Sequence, residues 1–249
     1  MDPWEEAATA QERAQVRASV ATFDELAELI GLFEATWGPG RGADDGMLHA
    51  LGHAGNTVLI ARDRSGGIVG GALGFLGWSG GVHLHSHMAA VAPGHRAGGV
   101  GAALKLTQRA ICLDHGVTEM RWTFDPLIRR NAYFNLVKLG AEFVAFHPDF
   151  YGELDDLVSG GDRSDRAEVS WRMDSARVRR ALAGEPAPAW SGERFALLPD
   201  FEAARAADLE AIRPLREASR VAIAGALGAG LRPELDVERN YVFTAEPPS

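Results

Sequence analysis

The run Pro93-Gly94-His95-Arg96-Ala97-Gly98-Gly99-Val100-Gly101-Ala102 joins a strand-like segment, Val82 to Val91, to a helix-like one in which Val100, Ala103, Leu104, Thr107 and Ile111 share a side. A strand that enters a helix through glycines exposes backbone N–H groups with no intrahelical acceptor, at the positive end of the helix dipole. That is an anion site, and missing Cβ atoms let a diphosphate come close to the backbone. The ordinary alternative is a helix N-terminus with packing glycines. A P-loop would require Gly-Lys-Ser/Thr, whereas Gly101 is followed by Ala102-Ala103. A dinucleotide fingerprint would require Gly-x-Gly-x-x-Gly in an early βαβ unit, which this segment does not supply.

A second group precedes the turn. His83, His85 and His87 alternate along one strand and so project from one face. At a rise of ~3.3 Å per residue, the first and third lie roughly 13 Å apart, so a shared metal ion is not expected. His87 or His85 is suited to take a proton from an ammonium through water, and equally to shape the floor of a pocket. Asp125, after the segment Thr118 to Phe124, is placed either to face an acceptor amine or to cap the next helix. Trp37, Trp78, Trp122 and Tyr151 are candidates for an acceptor pocket and equally for the core. Cys112 reads as an inert buried thiol.

Elements must position these groups. Val16 to Val20 is a strand, and Thr22 with Glu25 forms a capping box ahead of Leu26, Leu29, Ile30, Phe33 and Trp37 at helical spacing. Thr57 to Arg62 and Ile68 to Leu76 form a hairpin around Asp63-Arg64-Ser65-Gly66-Gly67. Lys105 and Arg109 fall on the side of the motif helix opposite its apolar stripe. A helix is expected over 128–139, then strands Glu142 to Phe146 and Ala167 to Met173. The polar span from Pro148 to Asp165 reads as a surface excursion. Beyond Met173 come a basic helix to Leu182, a Pro-containing linker, and an Ala-rich helical stretch from Glu202 to Gly230 that Pro214 should break or kink. Arg177, Arg179 and Arg180 read as a solvated face. Residues 1–15 read as a flexible tail, 16–174 as the main domain and 175–249 as a helical extension with short strands.

At these positions the chain resembles the GNAT superfamily of acyl-CoA N-acyltransferases. Arg96-Ala97-Gly98-Gly99-Val100-Gly101 matches that family's Gln/Arg-x-x-Gly-x-Gly/Ala, and Ala89-Ala90-Val91-Ala92-Pro93 is similar to its Leu-x-Val-x-Pro. Asn131-Ala132 and Leu139-Gly140-Ala141, about 40 positions on, echo its second motif. Within the family, His85-Ser86-His87-Met88, Trp122-Thr123-Phe124-Asp125 and Phe134-Asn135-Leu136 resemble a group with a C-terminal extension. The resemblance implies an α/β (α+β) fold with a mixed, splayed central sheet flanked by helices. It implies that Arg96 to Ala102 hold the diphosphate of acetyl-CoA or another acyl-CoA. By the same likeness the backbone of Ala89, Ala90 and Val91 holds the pantetheine arm, and Asn131 hydrogen-bonds the cofactor.

The activity implied is transfer of an acyl group to the amine of a small molecule or peptide, with Asp125 and Trp37 at the acceptor. Many family members carry a tyrosine three residues before Leu-Gly-Phe as proton donor; here that position is Leu136. Either Tyr133, one helical turn earlier and on roughly the same face, substitutes, or water protonates the thiolate, or the usual chemistry is lacking. The rival reading is a non-catalytic acyl-CoA-binding module. The formal charge of −9 and the lack of a basic stripe argue against nucleic acid. No apolar run nears the ~20 residues of a membrane span. One cysteine and a polar N-terminus suit a cytoplasmic protein. The C-terminal helices are suited to cover the acceptor site or to build a homodimer.

Overall fold

The computed structural model describes residues 2–152 and 156–246. The chain forms two compact units, Met1–Met120 with Asp156–Val158, and Arg121–Asp155 with Ser159–Ser249. The sequence suggests a boundary near residue 175, whereas compactness divides the chain at residues 120 and 121, inside a strand.

In the first unit, strands β1 (Val16–Val20), β2 (Thr57–Asp63), β3 (Ile68–Gly77) and β4 (His83–Val91) follow one another as an antiparallel meander. Helices α2 (Leu26–Trp37) and α3 (Asp45–His53) cover one face, where Leu29, Phe33, Leu48, Val58, Ile60 and Leu73 form a buried core. Helix α4 (Val100–Asp114) covers the other, with Val100 and Leu104 packed on Leu59, Ala61 and Ala72. The alternation of Val58, Leu59, Ile60 and Ala61 between these two cores is the period of two expected of a strand buried on both faces.

Residues 3–14, expected as a flexible tail, form helix α1 (Pro3–Ala14). Asp2 and Glu5 make a reciprocal capping box with Pro3 in the first turn, a strong start signal. The helix lies on α4, where Glu6 pairs with Arg109 and Trp4 Nε1 donates to Asp114 Oδ2 at 2.6 Å. This explains a second departure. Arg109, 4% exposed, is buried because α1 covers its side of α4, whereas Lys105, 6% exposed, is buried against the sheet at Ser86.

The second unit contains strand order β5-β7-β6, where β5 is Glu119–Phe124, β6 Glu142–His147 and β7 Arg166–Arg172. Helix α5 (Arg129–Ala132) continues into a π-helical turn at Tyr133–Lys138. After α6 (Ala176–Leu182) come β8 (Glu193–Phe195), α7 (Phe201–Ala207), α8 (Leu209–Gly228), β9 (Arg232–Leu235) and β10 (Tyr241–Thr244). Strands β8, β10 and β9 form a separate antiparallel sheet. The Ala-rich stretch breaks at Asp208, not at Pro214. Asp208 leaves helical geometry to cap α8 through the Ala211 N–H, while Pro214 sits within α8.

The extension is built into this unit. Arg177 Nε donates to the Gly140 carbonyl at 3.0 Å, and its terminal nitrogens reach Glu234 at 2.7 and 2.8 Å and the carbonyls of Leu136 and Ala141 at 3.3 Å. It satisfies helix-end carbonyls that would otherwise be orphaned. Arg177 is therefore a buried anchor and not part of a solvated face. Gly140, at φ +70°, has Ala181 Cβ only 2.9 Å from where a β-carbon would stand. The expected surface excursion also folds inward, for Asp162, Ser164 and Asp165 are buried.

Candidate acyl-CoA site

The glycine turn has the backbone form that an anion site needs. Pro93–His95 makes one 3-10 turn, Arg96 is extended, and Ala97 takes φ +68°. Gly99 then caps α4 at φ +90°, in the left-handed region where glycine is least strained. The Ala103 N–H is the first to reach a helical carbonyl, that of Gly99 at 3.0 Å. The N–H groups of Val100, Gly101 and Ala102 have no such partner in the first turn, and residues 96–99 are exposed. A β-carbon on Gly101 would meet nothing within 4 Å, so no side chain crowds the first turn at that position. Arg96 Nε reaches the Val91 carbonyl at 3.4 Å, which ties the loop to the end of β4. These groups suit a diphosphate: unbonded donors, a helix dipole and an adjacent guanidinium. The residues of the predicted run from Arg96 to Ala102 are thus brought together.

Strand β4 contains a β-bulge. Leu73 pairs with Met88 and Gly74 with Ser86, so His87 is the extra residue, outside the ladder. The bulge changes which side chains gather. His83 is buried, with Nδ1 2.9 Å from the Gly81 carbonyl. His85 and His87 have ring centroids 5.9 Å apart, and Phe75 lies 5.4 and 5.8 Å from them. His83 and His85 keep regular register opposite Gly77 and Phe75, so the bulge displaces only His87 from strict alternation. Desolvation holds the His87 imidazole below its ordinary pKa, which favours the neutral, proton-accepting form. Ala89 and Val91 point toward the α4 side, Ala90 toward the α2 side.

Behind the bulge lies a polar network that the sequence did not reveal. Lys105 Nζ donates to Ser86 Oγ at 2.7 Å, Ser86 to Gln108 Oε1 at 2.9 Å, and Gln108 Nε2 to Thr57 Oγ1 at 2.9 Å. All four residues are buried. Burial pushes the Lys105 ammonium down to about 7 and the Cys112 thiol up to about 12. The signal available was a lysine and a glutamine one helical turn apart, facing a serine in a strand. Helical periodicity alone assigns such residues to solvent.

In the second unit, Tyr133 opens the π-helical turn and is half-buried, whereas Leu136 is buried at 3% exposure. Residues three apart in a turn with i→i+5 hydrogen bonds no longer share a face, so the sequence expectation for this pair is corrected. Arg239 lies over the Tyr133 ring, 3.9 Å from its centroid. Asn131 is half-buried, its N–H on the Ile128 carbonyl at 2.9 Å. Asp125 is buried and engaged by Arg216, with Arg205 alongside. Trp37 packs on Phe33, ring centroids 5.5 Å apart, in the core under α2. Trp122 donates to Asn135 Oδ1 at 3.2 Å inside the second unit.

Solved structures share this architecture. The chain is similar to Naa50 of Arabidopsis thaliana, solved in complex with the bisubstrate analogue CoA-Ac-MVNAL, at 20% identity and a TM-score of 0.51, over 63% of this chain and 97% of that one. It is similar to the ribosomal-protein-S18-alanine N-acetyltransferase of Escherichia coli at 13% identity and a TM-score of 0.51, over 65% and 96%. The GNAT superfamily phosphinothricin acetyltransferase (Pat) of Sinorhizobium meliloti, in complex with AcCoA, gives 14% identity and a TM-score of 0.52, over 63% and 87%. This chain has the fold of the GNAT acetyltransferases. No protein-family model and no curated protein matches its sequence.

Proposed function

We propose that this protein is an acyl-CoA-dependent N-acyltransferase that moves an acetyl group from acetyl-CoA to an amine of a small molecule or a peptide. The observation that carries the reading is the α4 N-terminus, where amides without a helical acceptor follow the exposed residues 96–99 in a chain of GNAT fold. Arg96 and the amides of Val100, Gly101 and Ala102 bind the diphosphate. The backbone from Met88 to Val91, just past the bulge, orients the thioester arm. Acetyl-CoA supplies the activated acyl group.

His87, with His85 beside it, accepts the proton that the attacking amine must lose, through water. The new N–C bond forms as the C–S bond breaks, and Tyr133 gives its phenolic proton to the departing thiolate. Each group then exchanges its proton with solvent, so amide and thiol are the net products. Asn131 serves the cofactor and Trp37 only the core beside the acceptor. The protein acts in the cytoplasm. A homodimer is not required by this chemistry.

Calorimetric titration of the purified chain with coenzyme A, followed by thiol release from acetyl-CoA over glycine, lysine, spermidine and a Met-Val-Asn-Ala-Leu peptide, tests the reading. Binding with thiol release on at least one amine supports it. Binding without release on any amine would favour the non-catalytic module, and ATP or NAD binding in place of coenzyme A would remove both. No helix among the described residues is long and apolar enough to cross a membrane.

A further inference from the structure

The loop between β9 and β10 delivers one side chain to Tyr133, and three independent features fix it there. First, the loop is rigid. Asp236 Oδ1 accepts the N–H groups of Glu238 and Asn240 at 2.9 and 3.0 Å, the Asp236 N–H reaches the Asn240 carbonyl at 3.0 Å, and Arg239 N–H reaches the Asp236 carbonyl at 2.9 Å. Asn240 Oδ1 in turn accepts the Leu197 N–H at 3.0 Å.

Second, Arg239 takes φ +64°, a conformation in which residues other than Gly, Asn and Asp are uncommon. An arginine held there points to a role for its side chain. Third, β9 is locked to the π-helical turn itself, because Arg177 grips Glu234 of β9 and the carbonyl of Leu136 in that turn. The guanidinium and the phenol ring are therefore two parts of one braced assembly.

The charges around the ring are positive. Arg239 sits 3.9 Å from the ring centroid and Lys138 Nζ 5.7 Å. The carboxylates on the same loop are engaged elsewhere: Asp236 by Arg194 at 3.3 Å and by loop amides, Glu238 by Asn240 Nδ2 at 3.4 Å. A guanidinium at the face of an aromatic ring is held by the ring quadrupole, so Arg239 and the ring fix one another's position.

We infer that Arg239, supplied by the C-terminal hairpin, is a positioning residue for Tyr133 in the acyl transfer, holding the phenol ring in place. This rests on the function proposed above. It gives the extension a chemical role, since the hairpin braces the ring of Tyr133.

The test is a double-mutant cycle on the full chain, with acetyl-CoA and the four amines named above. Arg239→Ala is expected to lower kcat about tenfold, the scale of a ~1.4 kcal/mol contact, with the KM for acetyl-CoA unchanged. Arg239→Lys should recover most of the loss. In a Tyr133→Phe background, Arg239→Ala should have no further effect.

A readout free of turnover accompanies it. The Arg239 Nε–H resonance should be shifted upfield by the ring in the unliganded protein and revert in Tyr133→Leu. An Arg239→Ala loss of equal size in the Tyr133→Phe background, an effect on KM alone, or an unshifted resonance would overturn the inference and leave acyl transfer standing. So would full activity in Tyr133→Phe. Wild-type protein that releases no thiol with any amine would overturn acyl transfer, and this inference with it. Arg239 is exposed, so its variants should melt with the parent.

Discussion

Asp125 accepts both terminal nitrogens of Arg216, Nη1 at 2.8 Å and Nη2 at 2.7 Å, across 91 positions of sequence. Asp162 takes Nη2 as well, at 2.5 Å, and Arg205 Nη1 stands 3.6 and 3.7 Å from the two carboxylates. The Phe201 ring lies beneath both guanidinium groups, 5.0 Å from Arg216 and 5.5 Å from Arg205. Two positive and two negative charges thus balance out of water. Removing one partner strands a buried charge, so Asp125→Ala should lower unfolding free energy by about 3–5 kcal/mol in urea titration. Coenzyme A affinity should be unchanged at a temperature where the variant is folded. Intact stability with a raised acceptor KM would instead return Asp125 to the substrate.

The contrast between Asp125 and the glycine turn shows what sequence can carry. The turn is local: strand, Arg96, Gly99, Gly101 and helix follow within twenty positions, and their backbone chemistry does not depend on distant residues. The partner of Asp125 lies in α8, and nothing in the segment 122–125 points there. Arg177 and Arg109 escape a local reading for the same reason, since each is paired with a residue far along the chain. The bulge at His87 was illegible because an alternating pattern carries no mark of an inserted residue. The π-helical turn at residues 133–138 is likewise held by a distant residue, Arg177, which takes the Leu136 carbonyl.

Lys105 gives stability a pH dependence of known sign. Its folded pKa, about 7, lies below the unfolded value near 10.4, so between these the unfolded chain binds more protons and stability rises with pH. The slope approaches ~1.4 kcal/mol per pH unit in that window. Cys112, pushed up to about 12, acts oppositely, but only above its unfolded value near 8.5. Urea titrations at pH 7 and pH 8.3 should show the wild type gaining stability relative to Lys105→Met. Parallel behaviour of the two proteins would mean that Lys105 is not desolvated.

His87 should set the acid limb of the rate. Its depressed pKa, caused by desolvation, places that limb below the ordinary value of ~6.5. Activity is retained above the folded pKa, where the imidazole is neutral, and lost as pH falls through it. His87→Gln should flatten this limb and lower kcat by roughly 10²-fold, the scale of general-base catalysis. A pH–rate profile that His87→Gln leaves unchanged would remove His87 as the base.

Gly101 separates ligand binding from folding. Space for a β-carbon is open there, and a carboxylate in the first turn of α4 complements the helix dipole by about 0.3–1 kcal/mol. Gly101→Asp should therefore melt at the same temperature as the wild type or slightly above it. The same carboxylate would stand among the amides of residues 100–102 and repel a diphosphate, so the Kd for coenzyme A should rise at least tenfold. These opposite signs cannot come from general damage, which lowers both quantities together. Unchanged affinity in a stable Gly101→Asp protein would show that no anion sits at this helix end, and the acyl-CoA reading would lose the observation on which it rests.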